Sequence, residues 1–162
     1  MSSRVRKPRG GRRYYARLRR KAATFSVDLA PPSWYELWHD HFDWRGRSRG
    51  SGRTRRAHLD ALFTAFRRVL VQAADAKVAV QVFVSIAPDA EAEQDALYVH
   101  TPNPNGVPYP YRFEGVQWGV MPPPILRDFV RDEPWEVGAA LGERTGWWVV
   151  RSRDSDALGI GA

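Results

Sequence analysis

Two groups of residues in this 162-residue chain have side chains of the types that do chemistry. The first is the run Glu36, His39, Asp40, His41 and Asp43. Imidazole and carboxylate at such close spacing are ligand types for zinc or iron. Pro31-Pro32 breaks the chain just before this run, and Ser33 is a good N-cap, so the pattern predicts a helix from Ser33 to about Trp44. On that helix Trp34, Leu37, Trp38, His41 and Phe42 form one apolar stripe. Glu36, His39, Asp40 and Asp43 form a second, acidic one. Helical residues two apart point about 200° away from each other, so His39 and His41 cannot share an ion. His41 then reads as a hydrogen-bonded core histidine. A Glu-x-x-His motif serves di-iron bundles only with matching carboxylates from other helices, and no second such motif occurs. No metal is expected, and the acidic stripe reads as a solvated or partner-binding face.

The second group is Asp95, His100 and Glu114, which could perform acid–base chemistry if one end of a sheet gathered them. Their spacing does not require it, and His100 reads equally as an ordinary sheet residue. The chain has no Cys, hence no thiolate nucleophile and no Cys-based metal site. There is no G-x-S-x-G motif, and Ser85 falls within a strand pattern rather than on a strained turn. Gly10-Gly11 and Gly50-Ser51-Gly52 lie in basic loops with no strand before them, so no phosphate-cradling loop is read there. The expectation is a protein with no catalytic residues and no cofactor.

Charge is distributed unevenly. Ten of the 25 Lys and Arg residues fall within the first 25 positions, which hold no Asp or Glu, leaving 15 basic against 18 acidic residues in the rest. A cationic leader on a mildly acidic body is a place for anions: nucleic-acid phosphate, an acidic protein face, or the chain's own acidic surface. The candidate polyanion contacts are Arg12, Arg13, Arg17, Arg19, Arg20, Lys21, Arg45, Arg47, Arg49 and Arg53, with Arg55 and Arg56 adjoining and Tyr14 and Tyr15 available to stack on bases. Arg predominates over Lys, which suits bidentate phosphate contacts, although high Arg content also follows from a GC-rich genome. No motif for sequence-specific readout accompanies it. Aromatic and Arg residues also anchor protein interfaces, and Trp44, Trp135, Trp147 and Trp148 are candidates for partial exposure.

The elements that must position these groups predict an α+β fold. It is a mainly antiparallel sheet of four to five strands, backed by a long helix over about 54–74 and by shorter helices. Residues 1–12 read as a disordered basic arm, 13–153 as one domain and 154–162 as a frayed tail. Tyr14, Leu18, Ala22 and Phe25 mark a basic amphipathic helix, followed by a short edge strand over 25–29. Arg45–Arg53 is a flexible loop. The long helix buries Leu59, Leu62, Phe63, Phe66, Val69, Leu70 and Ala73. Strands follow over Val78–Ile86, Ala96–His100, Arg112–Val120, Trp135–Val137 and Trp147–Arg151, with a short helix over Pro122–Val130. No apolar run approaches the roughly 20 residues of a membrane helix, and no apolar segment follows the basic N-terminus as in a secretory signal. A soluble, cytoplasmic protein is expected.

Trp34–Trp44 (WYELWHDHFDW), Ala61–Leu70 (ALFTAFRRVL), Gln81–Ile86 (QVFVSI), Glu93–Asn105 (EQDALYVHTPNPN) and Tyr111–Val120 (YRFEGVQWGV) together resemble a family of small bacterial proteins associated with immunity to polymorphic toxins. The resemblance covers about residues 13–152 and rests on overall sequence, not on one diagnostic motif. It implies a non-catalytic protein that binds and neutralises a cognate toxin. Against a nucleic-acid-cleaving toxin with an electropositive active site, the docking surface would be the stripe Glu36, His39, Asp40, Asp43 or the loop Asp89–Asp95.

Overall fold

A computed structural model describes residues 10–29, 34–37, 52–78, 80–88, 95–100 and 113–153. The longest apolar-periodic segment sets the architecture. Helix α2 runs from Gly52 to Ala76, 25 residues, or about 37 Å at 1.5 Å per residue. Leu59, Leu62, Phe63, Phe66 and Val69 recur every three or four residues on it, and all are fully buried. That spacing gives one continuous apolar face, which needs a sheet to cover it.

The sheet has six strands: β1 (Trp34–Leu37), β2 (Gln81–Ile86), β3 (Ala96–His100), β4 (Gly115–Trp118), β5 (Trp135–Leu141) and β6 (Trp148–Ser152), in the order β1-β3-β2-β6-β5-β4. Every pairing is antiparallel. The α+β class and the long backing helix agree with the sequence reading. One face of the sheet presents Val82, Val84, Ile86, Leu97, Val99, Val137 and Val150 to α2. Helix α1 (Gly10–Ala23) and helix α3 (Pro124–Val130) complete this core through Leu18 and Ala22, and through Leu126, Phe129 and Val130. The Phe63 ring stacks on Phe129 at 5.0 Å and on Trp135 at 5.7 Å, which locks α3 against α2. The opposite face carries a second apolar cluster around Phe83, Tyr98, Phe113 and Trp147. Strand β2 is therefore buried on both faces.

Several boundaries differ from the sequence reading. The largest difference is at Trp34–Leu37, read as helix but folded as edge strand β1, with Trp34 opposite His100 and Glu36 opposite Tyr98. Trp and Tyr favour strands, β3 offers an edge to pair with, and helical spacing over four residues discriminates weakly. This strand is also the sixth that the four-to-five-strand expectation lacked. Helix α1 begins at Gly10, so the end of the expected disordered arm is helical. Residues 25–29 form no strand, although Val27 and Leu29 are buried. Val27 N–H donates to Gln72 Oε1 at 3.1 Å, and Gln72 Nε2 donates back to Val27 O, so one amide side chain of α2 stands in for a neighbouring strand. Strand β2 starts at Gln81 rather than Val78, β4 is shorter than expected, and β5 extends beyond Val137 to Leu141. Residues 1–9, 38–51, 101–112 and 154–162 lie outside the described residues.

Candidate functional site

Helix α1 has the sequence GGRRYYARLRRKAA, with no acidic residue in its first turn. Cations near a helix N-terminus oppose its dipole. Like charges spaced three or four apart, such as Arg13/Arg17, Arg17/Arg20 and Arg17/Lys21, each cost roughly 0.2–0.5 kcal/mol. The helix persists because tertiary packing outweighs these costs. Leu18 and Ala22 are 2% and 1% exposed, and burying one leucine contributes about 1.5–3 kcal/mol.

Specific contacts at both ends fix α1 beside α2. At one end the Tyr14 hydroxyl and His58 Nε2 hydrogen-bond at 2.7 Å, and His58 is buried. At the other, Arg68 Nε donates to Phe25 O at 2.9 Å. Thr24 Oγ1 donates to Arg20 O at 2.9 Å and closes the last turn. Tyr14 meets the N-terminal half of α2 and Phe25 the C-terminal half, so the two helices run in the same direction.

Docking by Leu18 and Ala22 fixes what faces outward. Arg13, Arg17 and Arg20 follow at four- and three-residue steps and form a line opposite the buried pair. The line is about 10 Å long, and Arg19 and Lys21 flank it. All five cations are exposed. None of them pairs with a carboxylate among the described residues, where the ion pairs are Arg55–Asp95, Arg56–Asp128, Arg67–Glu133, Arg131–Asp132 and Arg151–Glu136. Tyr15 is half-buried at the edge of the helix, 5.5 Å from the Tyr14 ring in an edge-on arrangement.

The remaining expected site residues do not join this line. Arg45, Arg47 and Arg49 lie outside the described residues, and for Arg12 and Arg53 only the helical backbone is described. Arg55 is committed elsewhere. Its guanidinium donates to Ala87 O at 2.7 Å and to Asp95 Oδ1 at 3.3 Å, with both side chains nearly enclosed. Burial raises the Asp95 carboxyl above its usual range, against the opposing pull of Arg55 and of the Ala87 N–H. Arg56 pairs with Asp128 at 3.1 Å and lies over the Phe129 ring.

The acidic stripe loses its basis at Glu36, whose backbone is strand, and His39, Asp40 and Asp43 lie outside the described residues, as does His41. Of the Asp89–Asp95 loop, only Asp95 is described, and it is buried. Asp95, His100 and Glu114 do not converge. Asp95 and His100 stand at opposite ends of β3, about 16 Å apart, and Glu114 precedes β4, four strands away, which alone separates it from Asp95 by more than about 19 Å. Trp135 and Trp147 are buried and Trp148 is half-buried; Trp44 lies outside the described residues.

One arrangement had no clear sequence signal. Arg151, on β6, donates through Nε and Nη2 to Glu136 Oε2 at 3.1 and 2.9 Å and lies 3.8 Å from the Trp118 ring centroid. Gly138 makes room for that ring: a Cβ there would fall 2.9 Å from Trp118 Cε3 and 2.3 Å from Val116 Cγ1. The only sequence cue was a charge inside the apolar run Trp148–Ser152.

Among the described residues no three His, Cys, Asp or Glu side chains gather as metal ligands, and no helix is long and apolar enough to cross a membrane. No protein-family model, curated protein or solved structure matches this chain.

Proposed function

We propose that this protein acts by binding an anionic macromolecule, nucleic acid, through the outward face of α1. The observation that carries this reading is the line Arg13, Arg17, Arg20, held outward by a helix docked through Leu18 and Ala22. Arg17 lies within repulsion distance of both Arg13 and Arg20, a cost that Arg20's favourable place in the last turn offsets only in part, and none of the three pairs with a carboxylate among the described residues. A guanidinium contacts phosphate through two parallel donors, and each phosphate neutralised releases condensed counterions from the nucleic acid. Binding of this kind reads the backbone rather than the sequence, as expected where no base-reading motif occurs. The test is fluorescence anisotropy of a labelled 20-nucleotide oligonucleotide with the full chain. Arg13→Gln/Arg17→Gln/Arg20→Gln should weaken binding at least tenfold while leaving the unfolding midpoint unchanged. Equal affinity of variant and wild type would remove α1 from the interface.

A second reading, neutralisation of a cognate toxin, is supported by the resemblance over residues 13–152. Among the described residues α1 is the surface that could dock in that role, and the toxin's docking face would then be acidic. Under this reading wild-type protein ignores the oligonucleotide, and the triple variant loses protection against the toxin.

A further inference from the structure

Helix α1 carries cations on both flanks as well as along its outward line. Neighbouring positions on a helix point about 100° apart, at 3.6 residues per turn. In the run Arg19-Arg20-Lys21, Arg20 points away from the buried pair Leu18 and Ala22. Arg19 and Lys21 therefore stand about 100° to either side of it. Both are exposed, so α1 is a ridge open on its two flanks. Arg17 lies on the Lys21 side, about 60° from Arg20, and Arg13 lies near the crest, about 20° from it. The five cations thus span an arc of about 200°, and none pairs with a carboxylate among the described residues.

We infer that this ridge enters the major groove of duplex DNA, with Arg19 toward one wall and Arg17 and Lys21 toward the other. This rests on the reading of α1 given above and narrows its partner class. A single phosphate chain, or a flat anionic surface laid on the crest, meets Arg13, Arg17 and Arg20 but cannot meet Arg19 and Lys21 together. A groove meets both flanks at once, because a row of phosphates runs along each rim. The dimensions agree. A helix with its side chains is about 10–12 Å across, and the B-form major groove is about 12 Å wide and 8.5 Å deep. Sunk to about half its diameter, α1 brings its flanks level with the rims. The major groove of an A-form duplex is too narrow to admit side chains, which selects DNA over double-stranded RNA.

The experiment titrates a labelled 20-base-pair DNA duplex, and one of its strands alone, by anisotropy at several salt concentrations. Wild type, Arg19→Gln and Lys21→Gln are compared; both positions are exposed, and glutamine matches arginine and lysine in helix propensity. Wild type should bind the duplex more tightly than the strand. Each variant should lose about threefold in duplex affinity and lower the log–log salt slope on duplex by about 0.9, the value for one phosphate contact, with the single-strand slope unchanged. A slope change in only one variant or in neither, an equal change on both forms, or a wild-type preference for the single strand would overturn the groove assignment and leave α1 as the binding face. Wild type binding neither form would overturn both.

Discussion

Asparagine at position 95 would remove one charge from the most enclosed ion pair in the described core and leave the shape of the site intact. The side chains of Arg55 and Asp95 are 12% and 8% exposed. Asp95 Oδ1 also accepts from Ala87 N–H at 2.8 Å, a bond that the asparagine oxygen can keep. What Asp95→Asn cannot keep is the counter-charge for Arg55, whose Nε is buried without a hydrogen-bond partner. Breaking a buried pair from one side costs about 3–5 kcal/mol, because an uncompensated charge remains. Arg55 retains its bond to Ala87 O at 2.7 Å and some solvent contact, and burial raises the Asp95 pKa, so asparagine is spared a desolvation cost that the carboxylate bears. The expected loss falls below that range, to that of one hydrogen bond, about 1 kcal/mol. Arg55→Met/Asp95→Asn removes the stranded charge and should recover most of that loss. Urea unfolding of the three proteins reads this directly as shifted midpoints at constant m. A double variant no more stable than Asp95→Asn would refute the stranded-charge argument. The pH dependence adds a check. Burial raises the folded-state pKa of Asp95, so the native protein takes up this proton before the unfolded chain does. Stability from this residue therefore declines as pH rises through the interval between the unfolded and folded values. Asp95→Asn should lack that decline.

Gly138→Ala places a methyl group 2.3 Å from Val116 Cγ1 and 2.9 Å from Trp118 Cε3. It should cost about 1–3 kcal/mol by overpacking and lower Tm in calorimetry; an unchanged Tm would show that β4 moves freely. Leu18→Ala should destabilise by about 2–5 kcal/mol. It should also speed amide exchange in α1 well beyond that in β2, whereas uniform acceleration would mean that α1 unfolds only with the whole domain.

The sequence was most legible where one periodicity ran long enough. Leu59 to Ala73 specified α2, and the β-branched alternation through Val82, Val84 and Ile86 specified β2, since each pattern buries a face only in one conformation. Ala96–His100 was legible to the residue because the loop Asp89–Asp95 marks where it starts. Trp34–Leu37 was not, because four residues satisfy helix and strand spacing alike and the edge of β3 decided the outcome. The basic helix was readable from Tyr14, Leu18 and Ala22, yet only the fold showed that Arg13, Arg17 and Arg20 share the outward line while Arg55 is buried with Asp95.

The central claim, that α1 presents its arginines to phosphate, is tested most directly by the salt dependence of oligonucleotide binding. For single strands, log K falls with log salt by about 0.7 per phosphate neutralised. Three arginines should make the wild-type slope steeper than that of Arg13→Gln/Arg17→Gln/Arg20→Gln by about 2.1. Raising salt from about 50 to 200 mM should therefore cost wild type about 20-fold more affinity than it costs the variant. Parallel slopes for the two proteins would contradict the account.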